Sequence, residues 1–213
     1  DVSVLKNHEP CPPVKIYKNN VDGKGASYGS HENYQYSRET DFGVLAASLI
    51  PFFVTRQVVV GAGRMGRGEK GEEDGFQISQ RADYFCQPIS LETTLNRGII
   101  NPRDEPHADP DSYGRLHVII GDANMSQTAN LLKLGMTALV IDAVEAGVDF
   151  SDLKLADPVA ELKAVSRDLT LSHRLTLADG RELTALEILA IYRERVQATD
   201  AEDERVLAAW DEV

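Results

Sequence analysis

The segment RLHVIIGD (115–122) constrains the chain more than any other. It is the clearest strand in the sequence. Its period of two sets Arg115, His117 and Ile119 on one face and Leu116, Val118 and Ile120 on the other. A wholly apolar face needs a core beneath it. The opposite face, carrying Arg115 and His117, then lines a cleft. Ser126 follows at once as the N-cap of a long helix running to about Ala146. Its apolar stripe is Leu131, Leu132, Leu134, Leu139, Val140, Ile141 and Val144.

The other segments fall around this unit. VKIYKN (14–19) alternates as a strand, and 21–34 forms a glycine-containing loop or irregular strand edge. Residues 41–60 are apolar in a helical pattern that Pro51 should kink or divide. Residues 61–75 read as a glycine-rich loop, 76–85 as a strand, and 99–111, with its prolines and acids, as a turn-rich connection. Asp157-Pro158 starts a helix. A hairpin turns around Ala178-Asp179-Gly180. Thr184 and Glu187 make a capping box for the helix after it, and another helical pattern reaches the end. Strands and irregular loops, then helices, a hairpin and helices make an α+β pattern rather than βαβ alternation. Residues 18–124 hold most of the chemistry-bearing side chains, and 150–213 read as structural.

Charge limits the function classes. The net charge of −12 includes no basic segment, which disfavours general binding to nucleic acid or to an anionic membrane. Seven arginines nevertheless fall within 56–115: Arg56, Arg64, Arg67, Arg81, Arg97, Arg103 and Arg115. They either pair with neighbouring carboxylates or build a cationic site for a small anion such as a phosphate. No uncharged apolar run approaches membrane-spanning length, and no signal peptide is visible. Cys11 and Cys86 have no framework or metal-finger spacing, so a reducing cytoplasm is expected.

Short motifs discriminate further. Gly61-Ala-Gly63-Arg-Met-Gly66 has the spacing of a dinucleotide fingerprint, but GRGEKGEEDG follows it and should not form the required helix. No P-loop, zinc-protease or nucleophile-elbow pattern is present. His31 stands among Glu32, Asn33 and Tyr34, all able to bind a ligand. His117 shares a strand face with Arg115, which suits a metal beside a phosphate. Arg81 and Arg103 offer planar forks for a phosphate or an oxyanion, although Asp104 and Glu105 stand next to Arg103. The acids of 104–111 lack the EF-hand spacing for calcium.

KIYKNNVDGKGASYGSHENY (15–34), PFFVTRQVVVGAGR (51–64), FQISQRADY (76–84), LETTL (91–95), GIINPRDEPHADPD (98–111) and RLHVIIGDANMSQT (115–128) together resemble the Pup ligase and Pup deamidase/depupylase family. Pup is the prokaryotic ubiquitin-like protein. The family is related to glutamine synthetase and other carboxylate–amine ligases. The resemblance implies a glutamine synthetase-like α+β fold, with an antiparallel sheet forming an active-site cradle packed by helices. Residues 1–213 would be the central part of one large catalytic domain. The family's Glu-x-Glu metal ligands and catalytic Asp are then expected upstream of residue 1, and its small C-terminal domain beyond residue 213. Such a piece is not expected to turn over alone.

Lys24, Ala26 and Ser30 resemble the deamidase branch, since the ligase pattern has His, Asn and Cys there. The implied reactions are conversion of Pup's C-terminal Gln to Glu and hydrolysis of the Pup–lysine isopeptide bond. ATP, or ADP plus phosphate, would serve with Mg²⁺ as a bound cofactor without net consumption. By the same resemblance, His31 and His117 are metal ligands, and Asn33 and Arg115 contact ATP. Arg81 and Arg103 lie near the γ-phosphate and the reacting carbonyl. Magnesium prefers oxygen, so carboxylates and phosphates must complete its shell. The implied partners are Pup and pupylated proteins, with a functional link to a bacterial proteasome and with neither nucleic acid nor membrane. The alternatives are a Pup–protein ligase acting through a glutamyl phosphate, and a non-catalytic module that binds nucleotide or Pup.

Overall fold

Asp41 opens the first helix, accepting a hydrogen bond from the Val44 N–H at 3.0 Å. The computed structural model describes residues 15, 17–22, 24, 26–66 and 75–213. Cys11, Val14, Ile16 and Arg67 lie outside those residues, and Lys15, Tyr17, Lys18 and Asn19, expected in a strand over 14–19, are not in a strand.

Helix α1 (Phe42–Val60) buries every residue from Pro51 to Gln57, so it is surrounded rather than half-exposed. By length and composition it could cross a membrane, although Ser48, Thr55, Arg56 and Gln57 interrupt its apolar run, as expected. Burial of 67% of that window inside the protein makes it a core helix. Pro51 neither kinks it apart nor divides it, and the helix runs unbroken through all 19 residues. The carbonyl that Pro51 cannot serve belongs to Ala47, which is exposed, so water can satisfy it.

Three helices pack on α1: α2 (Gln127–Glu145), α3 (Pro158–Arg167) and α4 (Ala185–Arg195). Local chemistry sets their starts. Ser126 caps α2, Asp157 caps α3, and Thr184 and Glu187 form a reciprocal box on α4. Helix α5 (Ala201–Asp211) packs on α2. The expected stripe of α2 is buried at Leu132, Leu139, Val140, Ile141 and Val144, whereas Leu134 is exposed. Tyr192 locks α4 to α1 by donating to the Ser48 carbonyl at 2.6 Å and meeting the Phe52 ring edge-on at 5.3 Å, and it stacks on Phe150 at 4.7 Å.

The strands form pairs beside this helical layer. Strands β1 (Glu32–Ser37) and β6 (Tyr113–Val118) run antiparallel, with Asn33 opposite His117 and Gln35 opposite Arg115. Strands β2 (Arg64–Gly66) and β3 (Gly75–Gln77) are antiparallel, as are β7 (Arg174–Thr176) and β8 (Glu182–Thr184) around the expected turn. The pair β4 (Phe85–Ile89) and β5 (Arg97–Ile100) is parallel, a departure from the expected all-antiparallel sheet. A bridge from Asn101 to His117 ties this parallel pair to β6. The architecture is α+β.

The expected strand over 76–85 breaks after β3. The carboxylate of Asp122 accepts from the Gln80 N–H at 2.9 Å and the Ser79 hydroxyl at 3.1 Å, and a short 3-10 turn (Ala82–Tyr84) follows. A carboxylate from a distant segment thus overrides the local alternation.

Candidate functional site

The β1–β6 register decides which side chains share a face. Glu32, Tyr34 and Tyr36 turn inward opposite Val118, Leu116 and Gly114. His31, Asn33 and Gln35 stand on the other side, against His117 and Arg115. The co-facial pair expected from the period of RLHVIIGD is therefore joined by Asn33 from a second strand. The rings of His31 and His117 approach to 5.3 Å at 58°.

This face carries unmet hydrogen-bonding capacity. His117 is 8% exposed, and its Nδ1 has no hydrogen-bond partner; neither has the buried Nε of Arg115. Buried polar atoms are rarely left so. Burial, with His31, Arg115 and Arg103 nearby, pulls the His117 pKa down to about 4, so the ring is neutral at pH 7. Burial and then Arg81 lower that of His31 too.

The loop between β5 and β6 closes over the face. Asn101 accepts from the Arg103 N–H at 3.0 Å. Asp104 accepts from the Arg115 N–H at 3.0 Å and pairs with Arg38 at 2.5 Å. Those contacts, the Arg115 N–H foremost, hold its carboxyl below the usual carboxylate range. The loop thereby walls a cleft of about 200 Å³ lined by Asn33, Tyr34, Gln35, Gly114 and Arg115 with Pro106 and His107. Arg103 is exposed and pairs with Glu105 at 3.1 Å, the local pairing its sequence neighbours suggested. An exposed pair of this kind is worth little and exchanges readily for a stronger anion.

Arg81, expected near the γ-phosphate and the reacting carbonyl, is a buried side chain beside His31. It is 1% exposed. Its guanidinium donates to the Ser27 hydroxyl at 2.9 Å, to the Gly121 carbonyl at 3.2 Å and to the Ile119 carbonyl. It sits over the Phe85 ring at 5.4 Å, and burial lowers its pKa to about 10. It clamps the 27–31 loop to the end of β6 and so positions His31. Gly29 makes room for it: at φ +74, a Cβ there would fall 2.2 Å from the guanidinium.

Glu32 and Tyr34 are corrected as ligand candidates, because the pleat turns both into the core. Glu32 makes a two-pronged pair with Arg56 of α1 at 2.8 and 2.9 Å, and the Tyr34 hydroxyl donates to the same carboxylate at 2.5 Å. Sequence reasoning missed this pair, the Asp122 hub and the cleft residue His107. The alternation through 31–35 was the available signal for the first; nothing local marks the other two.

The Gly61–Gly66 segment opens β2, not a helix, so its fingerprint spacing has no dinucleotide context. The donor set near His31 and His117 does not by itself fit magnesium. It consists of two imidazoles, and among the described residues no group of three His, Cys, Asp or Glu side chains could hold an ion.

An antiparallel strand pair thus presents imidazoles, an amide and a part-buried arginine over a helical core. The chain belongs to the Pup-ligase protein family, whose match spans residues 2–213. It is 58% identical over 206 residues to the Pup deamidase/depupylase of Mycolicibacterium smegmatis, covering 94% of this chain and 41% of that protein. It is 47% identical over 190 residues to a Pup–protein ligase of an Arthrobacter species, covering 89% and 41%. In three dimensions it is similar to the Pup ligase PafA in complex with ADP, with a TM-score of 0.80, 41% identity and coverage of 98% of this chain and 48% of that one. The chain thus spans about two fifths of the length of the curated relatives it matches.

Proposed function

We propose that these 213 residues form the central part of the catalytic domain of a Pup deamidase/depupylase. On this reading the enzyme hydrolyses the side-chain amide of Pup's C-terminal Gln and the isopeptide bond between Pup and a substrate lysine. The observation that carries the reading is the pair of orphaned buried nitrogens, Arg115 Nε and His117 Nδ1, on one face beside the cleft. The Arg115 Nε–H needs an acceptor such as a phosphate oxygen, and the neutral His117 ring keeps a nitrogen free to hydrogen-bond or to hold a metal. The higher identity to a deamidase/depupylase than to a ligase, 58% against 47%, favours the hydrolytic branch.

The residues divide the work by position. Arg115 binds the nucleotide phosphates through its free Nε, and Asn33, one register step away, orients them. ATP, or ADP plus phosphate, is a bound cofactor here rather than fuel, because amide hydrolysis is downhill in water. Arg103, paired with the exposed Glu105, turns its guanidinium to the oxyanion that develops when the amide carbon is attacked. Arg81 positions the His31 loop from below. The C–N bond breaks, water supplies the new oxygen, and ammonia or the lysine amine leaves with a proton. The attacking carboxylate is expected outside these residues. Magnesium would need oxygen donors from phosphates and other carboxylates, with the two imidazoles completing its shell. Pup and pupylated proteins are the partners, in a cytoplasm that holds a proteasome.

The test is mass spectrometry of Pup ending in Gln, incubated with the intact protein, Mg²⁺ and ATP. The mass gain of an amide becoming an acid, with ADP far below stoichiometric, supports the deamidase. Pup joined to an added lysine-bearing protein, with one ADP released per conjugate, moves the chain to the ligase branch.

A further inference from the structure

We propose that His107 forms one wall of the nucleoside pocket and that its ring stacks on the nucleotide base. The inference rests on the nucleotide reading of the β1–β6 face and extends it to the far end of that face. The polar groups along the strands are ordered. The His31 and His117 rings lie at one end, Asn33 and Arg115 in the middle, and the cleft beyond them. The imidazoles do not line the cleft, whereas Asn33 and Arg115 do. Phosphates held at Arg115 and toward the imidazoles therefore leave the nucleoside in the cleft. There the strands offer Gln35 and the small Gly114, and the loop offers Pro106 and His107. A flat base fits between a strand surface and a ring, and stacking of this kind is tolerant of base identity.

The wall is built, not incidental. Asp104, three residues before His107, is fixed twice, by the Arg115 N–H at 3.0 Å and by Arg38 at 2.5 Å. Asp109, two residues after it, accepts from the Ser112 hydroxyl at 2.7 Å and the Asp111 N–H at 3.1 Å. His107 makes no hydrogen bond or ion pair among the described residues and is exposed, so its substitution leaves the core untouched.

The experiment is competition of ADP, and separately of tripolyphosphate, against a fluorescent ADP analogue on the intact protein. Wild type is compared with His107→Ala and His107→Phe, and thermal melting confirms that each variant folds. His107→Ala is expected to weaken ADP about 10-fold or more, while His107→Phe, which keeps a ring, stays within about threefold of wild type. Tripolyphosphate, which has no base, should bind all three alike. Unchanged ADP affinity in His107→Ala overturns the proposal. So does a loss in His107→Phe equal to that of Ala, or an equal loss for tripolyphosphate. Failure of the wild type to bind ADP overturns the nucleotide reading itself, and this inference with it.

Discussion

Arg56→Met isolates the contact that anchors the site-bearing strand. Arg56 is 2% exposed and Glu32 equally buried. The two share a two-pronged pair at 2.8 and 2.9 Å. Arg56 also donates to the Lys133 carbonyl at 2.8 Å and the Thr137 hydroxyl at 2.6 Å, which ties β1 to both α1 and α2. Its guanidinium lies 4.8 Å from the Phe53 ring centre. Methionine keeps most of the apolar stem, so the change removes charge and donors rather than volume. Removing one partner of a buried pair leaves the other charge uncompensated and costs about 3–5 kcal/mol. For a chain of this size that corresponds to a drop in Tm of about 6–20 °C. The pair is buried, so the drop should be the same in low and in high salt. Glu32→Gln alone should also destabilise, and the double variant should recover a large part of the loss, because it leaves no unpaired charge. Melting of all four proteins at two salt concentrations measures this. Single losses below about 1 kcal/mol that simply add in the double variant would refute the anchoring argument.

Other consequences concern the hub, the clamp, the acid end and the chemistry. Asp122→Ala removes the acceptor for the Ala62 and Gln80 N–H groups and the Ser79 hydroxyl, so stability should fall by about 2–4 kcal/mol, and hydrogen exchange should speed up at those two amides. Gly29→Ala places a Cβ on the Arg81 guanidinium at a positive φ and should cost about 2 kcal/mol or more by urea unfolding. The Asp168 carboxyl is held down to about 2, first by the Thr170 hydroxyl and then by the His173 N–H. Its folded pKa lies below its unfolded one, so its stabilising contribution is present above about pH 4 and lost as the pH falls toward 2. The Tm gap between wild type and Asp168→Asn should close over that window. Arg103→Ala in the intact protein should lower the deamidation rate about 10²–10³-fold, as loss of an oxyanion donor does. A rate within a few-fold of wild type would remove that role.

Much of the helical layer was legible because its signals are local. Asp41, Ser126, Asp157 and the Thr184–Glu187 box each cap a helix within three or four residues of themselves. The face shared by Arg115 and His117 was legible for the same reason, since a strand's pleat needs only its own sequence. Pro51 and Leu134 were misjudged because local rules say nothing about which side of a helix meets water. The burial of Arg81 and Glu32 was not legible, because both are charged residues in glycine- or ligand-like surroundings that the fold turns inward.

By itself the sequence determined where helices start, which residues alternate along 115–118, and, through long motifs in order, the family. Tertiary structure alone decided what stands opposite what. Asn33 meets His117 only through the antiparallel register of strands far apart in the chain, and a slip by one residue would turn both faces over. Glu32 finds Arg56, Asp122 breaks the strand at Gln80, and β4 runs parallel to β5 for reasons that no window of neighbouring residues contains. Each is a pairing whose energy appears only once the loop between the partners has closed, so it leaves no local trace.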